Sequence, residues 1–140
     1  MSKTLVKRVG LIISFVLYVV LNINTYVKAE SHKKVLILHS YSEDFKWTSN
    51  ISAGIKSVLG DVDKIDLLSI YMDTKRVNNS VYIESFKNLC KIKYADTKFD
   101  VIICSDNDAL NFLVKYGDSL FPNTPVVFCG VNNFNQSMLN

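Results

Sequence analysis

The stretch Lys34-Val-Leu-Ile-Leu-His-Ser40, running on into Tyr41-Ser-Glu-Asp-Phe-Lys-Trp47, decides the fold. A near-continuous apolar run cut short by polar and aromatic residues is the pattern of a parallel strand buried on both faces that feeds an open loop. The same pattern returns at Asp100-Val-Ile-Ile-Cys-Ser-Asp106 and at Pro125-Val-Val-Phe-Cys-Gly-Val-Asn132. In an open α/β sheet, small ligands sit just beyond the carboxyl ends of such strands. The loops that follow these runs are therefore the places to expect a binding site.

Working outward from a first strand at Lys34–Leu38, a helix is expected from Thr48 or Ser49, either of which can cap it. Ile51, Ile55, Val58 and Leu59 then share one face, and Gly60-Asp61 ends the helix. Ile65–Tyr71 reads as the second strand. A helix over 80–93 follows, with Tyr82, Phe86, Leu89 and Cys90 turned inward. Phe99–Cys104 is the third strand, and its helix opens at Ser105 or Asp106 and buries Ala109, Phe112, Leu113 and Tyr116. After the turn Phe121-Pro-Asn-Thr-Pro125, Val126–Cys129 makes a fourth strand. Strands alternating with helical patterns imply a three-layer α/β fold, a doubly wound parallel sheet. Residues 34–140 are expected to form this one lobe. Its last segment, from Val131, reads as the start of another element, so the lobe is expected to be the first part of a longer protein.

Residues 1–29 are of another kind. Lys3, Lys7 and Arg8 precede an apolar run from Val9 to Leu21, and Val27-Lys28-Ala29 offers a small residue before a cut. A basic start, an apolar stretch of about a dozen residues and a small residue at the end make a secretory signal peptide. The alternative is an uncleaved membrane anchor, although the run falls short of the ~20 residues that span a bilayer. Either way the chain is expected to be exported, to a periplasm or cell surface, with residues 30–33 as a linker. Lys3, Lys7, Arg8 and Lys28 supply four of the 16 basic residues and no acid, which leaves 12 basic and 13 acidic groups, net −1, for residues 30–140. The overall +3 thus belongs to the leader. No basic patch remains to suggest a nucleic acid.

The exported part holds Cys90, Cys104 and Cys129. An odd number at irregular spacing is not a disulfide framework, and no CxxC pair suggests zinc. Cys104 and Cys129 each end an apolar run, where free cysteine serves as a small hydrophobe. No metal and no cofactor is implied. Catalytic motifs are missing too: there is no Gly-x-Ser-x-Gly elbow, GxGxxG, Walker loop or HExxH. An exported enzyme using Cys104 or Cys129 with His39 is a third-rank reading, since buried strand cysteines rarely have the electropositive, accessible setting this needs. A phosphoacceptor receiver domain wants an acidic pair after its first strand, where this chain has His39-Ser40-Tyr41. The lobe is expected to be non-catalytic.

Candidate binding residues follow each strand. After the first come Ser40, Tyr41 and Trp47, whose rings suit stacking on an organic ligand or, equally, packing of the loop. His39, at the strand end, is more readily a hydrogen-bonded structural residue than a ligand contact. After the second, Asp73 can accept from an amine or hydroxyl or cap a turn, and Lys75 and Arg76 can grip an anion or stand solvated. Ser105 and Asp106 open a helix, where one caps and the other can touch ligand. Asp106 and Asp108 oppose a phosphate there and favour a polar, cationic or zwitterionic ligand. After the fourth strand, Gly130 lets the backbone approach a ligand and Asn132 offers a donor and an acceptor.

Taken as a set, His39-Ser-Tyr with Trp47-Thr48, Tyr71-Met-Asp-Thr-Lys-Arg76, Ser105-Asp-Asn-Asp-Ala109 and Leu120-Phe-Pro-Asn-Thr-Pro-Val-Val-Phe-Cys-Gly-Val-Asn132 resemble the ABC-transporter substrate-binding-like family of type I-like periplasmic binding proteins. The nearest branch is the extracytoplasmic sensor domain of bacterial histidine kinases and diguanylate cyclases. The resemblance covers residues 33–135 and the N-terminal lobe only. It implies two α/β lobes closing on a small organic ligand, an amino acid or related metabolite, with Ser40, Tyr41, Trp47, Asp73, Ser105, Asp106 and Asn132 at the matching positions. It also implies a second lobe and a membrane signalling partner, or a permease partner if the protein serves an ABC transporter instead. The family's second lobe, hinge, membrane span and output domain have no counterpart in these residues.

Overall fold

The chain divides into two units, residues 1–31 and 32–140, and the computed structural model describes residues 3–23 and 32–139 of them. In the first unit, Lys3–Ile23 is a single helix, α1, with Leu11, Ile12, Ile13, Phe15, Val16 and Leu17 exposed. It takes in the basic start and the apolar run that the sequence marks as a leader. The expected cut at Val27–Ala29 lies outside the described residues. Among the described residues, no helix is long and apolar enough to cross a membrane.

The second unit alternates strand and helix: β1 (Lys33–His39), α2 (Lys46–Leu59), β2 (Ile65–Tyr71), α3 (Ser80–Lys93), β3 (Val101–Ser105), α4 (Asp106–Leu120) and β4 (Val126–Cys129), then a 3₁₀ turn at Gln136–Leu139. All four strands are parallel, in the order β2-β1-β3-β4. This is an α/β fold with a helix-flanked parallel sheet, as expected. β1 is central, which explains its unbroken Val35-Leu36-Ile37-Leu38: a strand with neighbours on both edges and layers on both faces admits a polar side chain only where it finds buried partners, as His39 does.

The pleat divides these residues between two layers. Leu36, Leu38, Ile70, Ile102 and Cys104 pack with Phe86 and Cys90 of α3 and Ala109, Leu110, Phe112 and Leu113 of α4 in the main core. Phe86 and Phe112 meet edge to face at 5.2 Å, a geometry that adds to the area both rings bury. The opposite face carries Val35, Ile37 and His39, and α2 lies over it. There Ser52 reaches the His39 ring.

Several local expectations are corrected. α2 starts at Lys46, before Thr48 and Ser49, and no side chain caps it. The extended Phe45 takes the first helical bond from Ser49 N–H, and Ser49 Oγ turns to Lys46 O instead of capping. The most buried residues of α2 are Thr48 and Ser52, with Ile51, Ile55 and Leu59 half-buried and Val58 exposed; Ser52 is turned in by its bond to His39. Leu89 also lies on the outside of α3. β3 begins at Val101, and Phe99 is buried ahead of it, 5.2 Å from the Tyr94 ring. Cys129 is exposed along with the rest of β4, since this edge strand pairs only with β3 and α4 covers it incompletely.

Candidate functional site

In the order β2-β1-β3-β4, the connection from β1 leads through α2 towards β2, and the connection from β3 leads through α4 towards β4. The strand order thus reverses between β1 and β3, and the crevice beyond their carboxyl ends is where an open α/β sheet offers a ligand site. A depression of about 340 Å³ lies there, lined by Tyr41, Phe45, Trp47, Lys75, Asp106, Gly130 and Asn132. Of the residues the sequence singled out, Tyr41, Trp47, Asp106 and Asn132 come together in it.

Ser40, Ser105 and His39 sit beneath the depression and hold it up. Ser40 is fully buried. Its hydroxyl donates to Ser105 O at 2.7 Å and accepts from Ala109 N–H, in the first turn of α4, at 2.8 Å. Its carbonyl accepts from Thr74 N–H and shares the Thr74 hydroxyl proton with Asp108 Oδ2. The Ser40 side chain and carbonyl together tie three strand ends, and the hydroxyl supplies the partner that a helix start needs; its burial keeps it from a ligand. Ser105 stands at the cap position of α4 but makes no cap bond, because its hydroxyl pairs with His39 Nδ1 at 2.9 Å. His39 Nε2 pairs with Ser52 Oγ at 2.9 Å, and the ring stacks on Tyr71 at 5.1 Å. With both nitrogens engaged, the ring is not aimed at a thiol. Burial lowers its pKa to about 4, so it is neutral at physiological pH. Cys104, for its part, is pushed up to about 12 by burial.

Asp73 is also outside the depression. It adopts φ 55°, and its Oδ2 accepts from Arg76 Nη1 at 3.0 Å while Oδ1 is buried with no partner. Arg76 Nη2 reaches Asp44 at 2.9 Å. The guanidinium is thus committed to two carboxylates.

Asp106 is the most constrained residue of the site. It begins α4 with φ 70°, a left-handed conformation that costs a non-glycine residue energy, and it is only 3% exposed. Its Oδ1 accepts from Trp47 Nε1–H at 3.0 Å, which fixes the indole. Its Oδ2 is buried without a partner. Burial raises its pKa, opposed by the Trp47 bond, the nearby Ser105 hydroxyl and the charge of Lys75. Gly130, at φ 69°, closes over this pair: a Cβ there would lie 3.1 Å from Asp106 Oδ1 and 3.5 Å from Trp47 Cζ2. Asn132 is held by reciprocal bonds between its backbone and the Asn107 side chain, at 3.0 and 3.1 Å.

Phe45 was missed by sequence reasoning, while Lys75 and Gly130, candidates for gripping an anion and for close backbone approach, do line the depression. The Tyr41 and Phe45 rings meet edge to face at 5.3 Å, and Lys75 Nζ lies 4.6 Å above the Tyr41 ring centroid. The four-residue spacing of the two aromatics was the available signal. Comparison with protein-family models, with curated proteins and with solved structures finds no match. The class of protein the geometry defines is therefore a parallel α/β domain with an aromatic, charged depression at its strand-order reversal.

Proposed function

We propose that this chain is the N-terminal, small-molecule-binding lobe of an exported periplasmic-binding-like module, acting as the sensory input of a membrane signalling receptor. The observation that supports it best is the convergence of Tyr41, Trp47, Asp106 and Asn132, from three separate strand ends, on one depression. Flat aromatic surface with a few fixed polar groups is the make-up of small-ligand sites. The depression is open, as one wall of a cleft would be, and a second lobe closing on it would exclude water from the ligand. The lobe itself binds and does no chemistry; any kinase or cyclase activity belongs to other parts of the receptor. The basic, then apolar, start of the chain supports export.

The test is a screen of small polar metabolites by heteronuclear NMR on the full chain. Compounds that bind are expected to shift the Tyr41, Trp47 and Gly130 signals at millimolar concentration. Binding confined to the opposite end of the sheet, around Tyr94 and Phe121, or no binding at all, would refute the reading.

A further inference from the structure

Resting on the depression being a ligand site, we infer that it takes an organic ammonium group, held by the Asp106 carboxylate and the Tyr41 and Phe45 rings, and that the ammonium of Lys75 occupies this place in the free protein. Lys75 Nζ lies 4.6 Å from the Tyr41 centroid and 6.0 Å from that of Phe45. The two rings stand at 79° to one another, forming a two-walled corner. Such faces attract a cation through the ring quadrupole. The corner already holds the chain's own ammonium, so its fit to that group is observed directly.

The carboxylate beside it lacks what an ammonium supplies. Asp106 Oδ1 is taken by Trp47, and Oδ2 is buried with no donor. A buried carboxylate oxygen without a partner is costly, and the close positive charge of a cation in the depression relieves that cost. The anion alternative is weakened at each group that would serve it. Arg76 is committed to Asp44 and Asp73. The start of α4 carries Asp106 and Asp108, and its Ala109 N–H is bonded to Ser40. Lys75 alone remains for an anion, and it rests on aromatic rings.

Trp47 is the sole tryptophan, and its indole is bonded to Asp106, so its fluorescence reports on the site. The full chain is titrated with benzylammonium and with benzoate, probes of like shape and opposite charge. Benzylammonium is expected to give a saturable change. Lys75→Met, which removes the internal competitor, is expected to tighten it about two- to fivefold, and Asp106→Asn to weaken it by about tenfold or more. Lys75 is exposed, so its replacement leaves the fold alone, and the sign of its effect decides the matter even if Asp106→Asn does not fold. Preference for benzoate, with Lys75→Met weakening it, overturns the ammonium inference and leaves the ligand site standing. No saturable change with either probe overturns both.

Discussion

Lowering the pH from 7.5 to 5 is expected to remove about 2 kcal/mol of stability through His39 alone. The imidazole is fully buried, and its pKa falls from 6.5 to about 4, mainly by desolvation, with Glu43 opposing and Lys56 adding to the shift. Because Ser52 and Ser105 bear hydroxyls that can turn to accept, protonation breaks neither hydrogen bond; what it costs is a buried charge with no counter-ion in contact. The folded pKa is depressed, so the unfolded chain takes up the proton first as pH drops. The stability is therefore complete above pH 6.5 and lost progressively down to about pH 4, for a total of roughly 3 kcal/mol. Urea unfolding at pH 7.5 and 5.0, on the wild type and on His39→Gln, isolates this contribution. Other groups titrate alike in both proteins, including Asp106, whose raised pKa acts in the opposite direction. The difference in pH dependence between the two should be about 2 kcal/mol. Equal pH dependence would show that His39 is hydrated or paired in the folded state, and the reasoning from burial would be wrong.

Three further outcomes are expected. Ser40→Ala strands Ala109 N–H in a buried place and leaves Ser105 O with the Ser40 N–H alone, and should cost about 2 kcal/mol in urea unfolding, whereas Ser49→Ala, on the exposed side of α2, should cost under about 0.5 kcal/mol. Gly130→Ala meets both a left-handed backbone and Asp106 Oδ1 at 3.1 Å. It should destabilise by about 1 kcal/mol and shift the Trp47 emission as the indole bond to Asp106 is disturbed. Phe86→Ala empties the centre of the core between α3 and α4 and should cost about 3–5 kcal/mol, read as a lower midpoint of unfolding.

Much of the fold could be read directly from the chain. The bounds of β2, α3 and β4 agree with the pattern of apolar residues; β4 is held between Pro125 and Gly130, and α3 starts after the Asn79 cap. The inner face of α2 could not be read in this way. Helical periodicity favoured Ile51, Ile55, Val58 and Leu59; Val58 is exposed and the other three are half-buried, while the fully covered positions are Thr48 and Ser52, and Ser52 bonds the His39 ring beneath. The candidate site divides along the same line. Tyr41, Trp47, Asp106 and Asn132 were recognisable because they follow strand ends. Whether a small polar residue at a strand end faces a ligand or braces its neighbours depends on partners 65 residues or more away: Ser105 for Ser40, and Ala109 for the same hydroxyl.

The sequence by itself determined the alternation of strand and helix, the parallel sheet, the basic and apolar pattern of the first residues, and the end of the sheet at which to look for a site. These are local or periodic properties, carried by side chains within a few residues of one another. Only the tertiary structure decided that Arg76 is spent on Asp44 and Asp73, that Lys75 lies on the Tyr41 and Phe45 rings, and that Asp106 holds Trp47 with one oxygen left unpaired. Those facts depend on which strand ends lie side by side in the order β2-β1-β3-β4. That order follows from the hand of the crossovers and the packing of the core, and no single stretch of the chain encodes it.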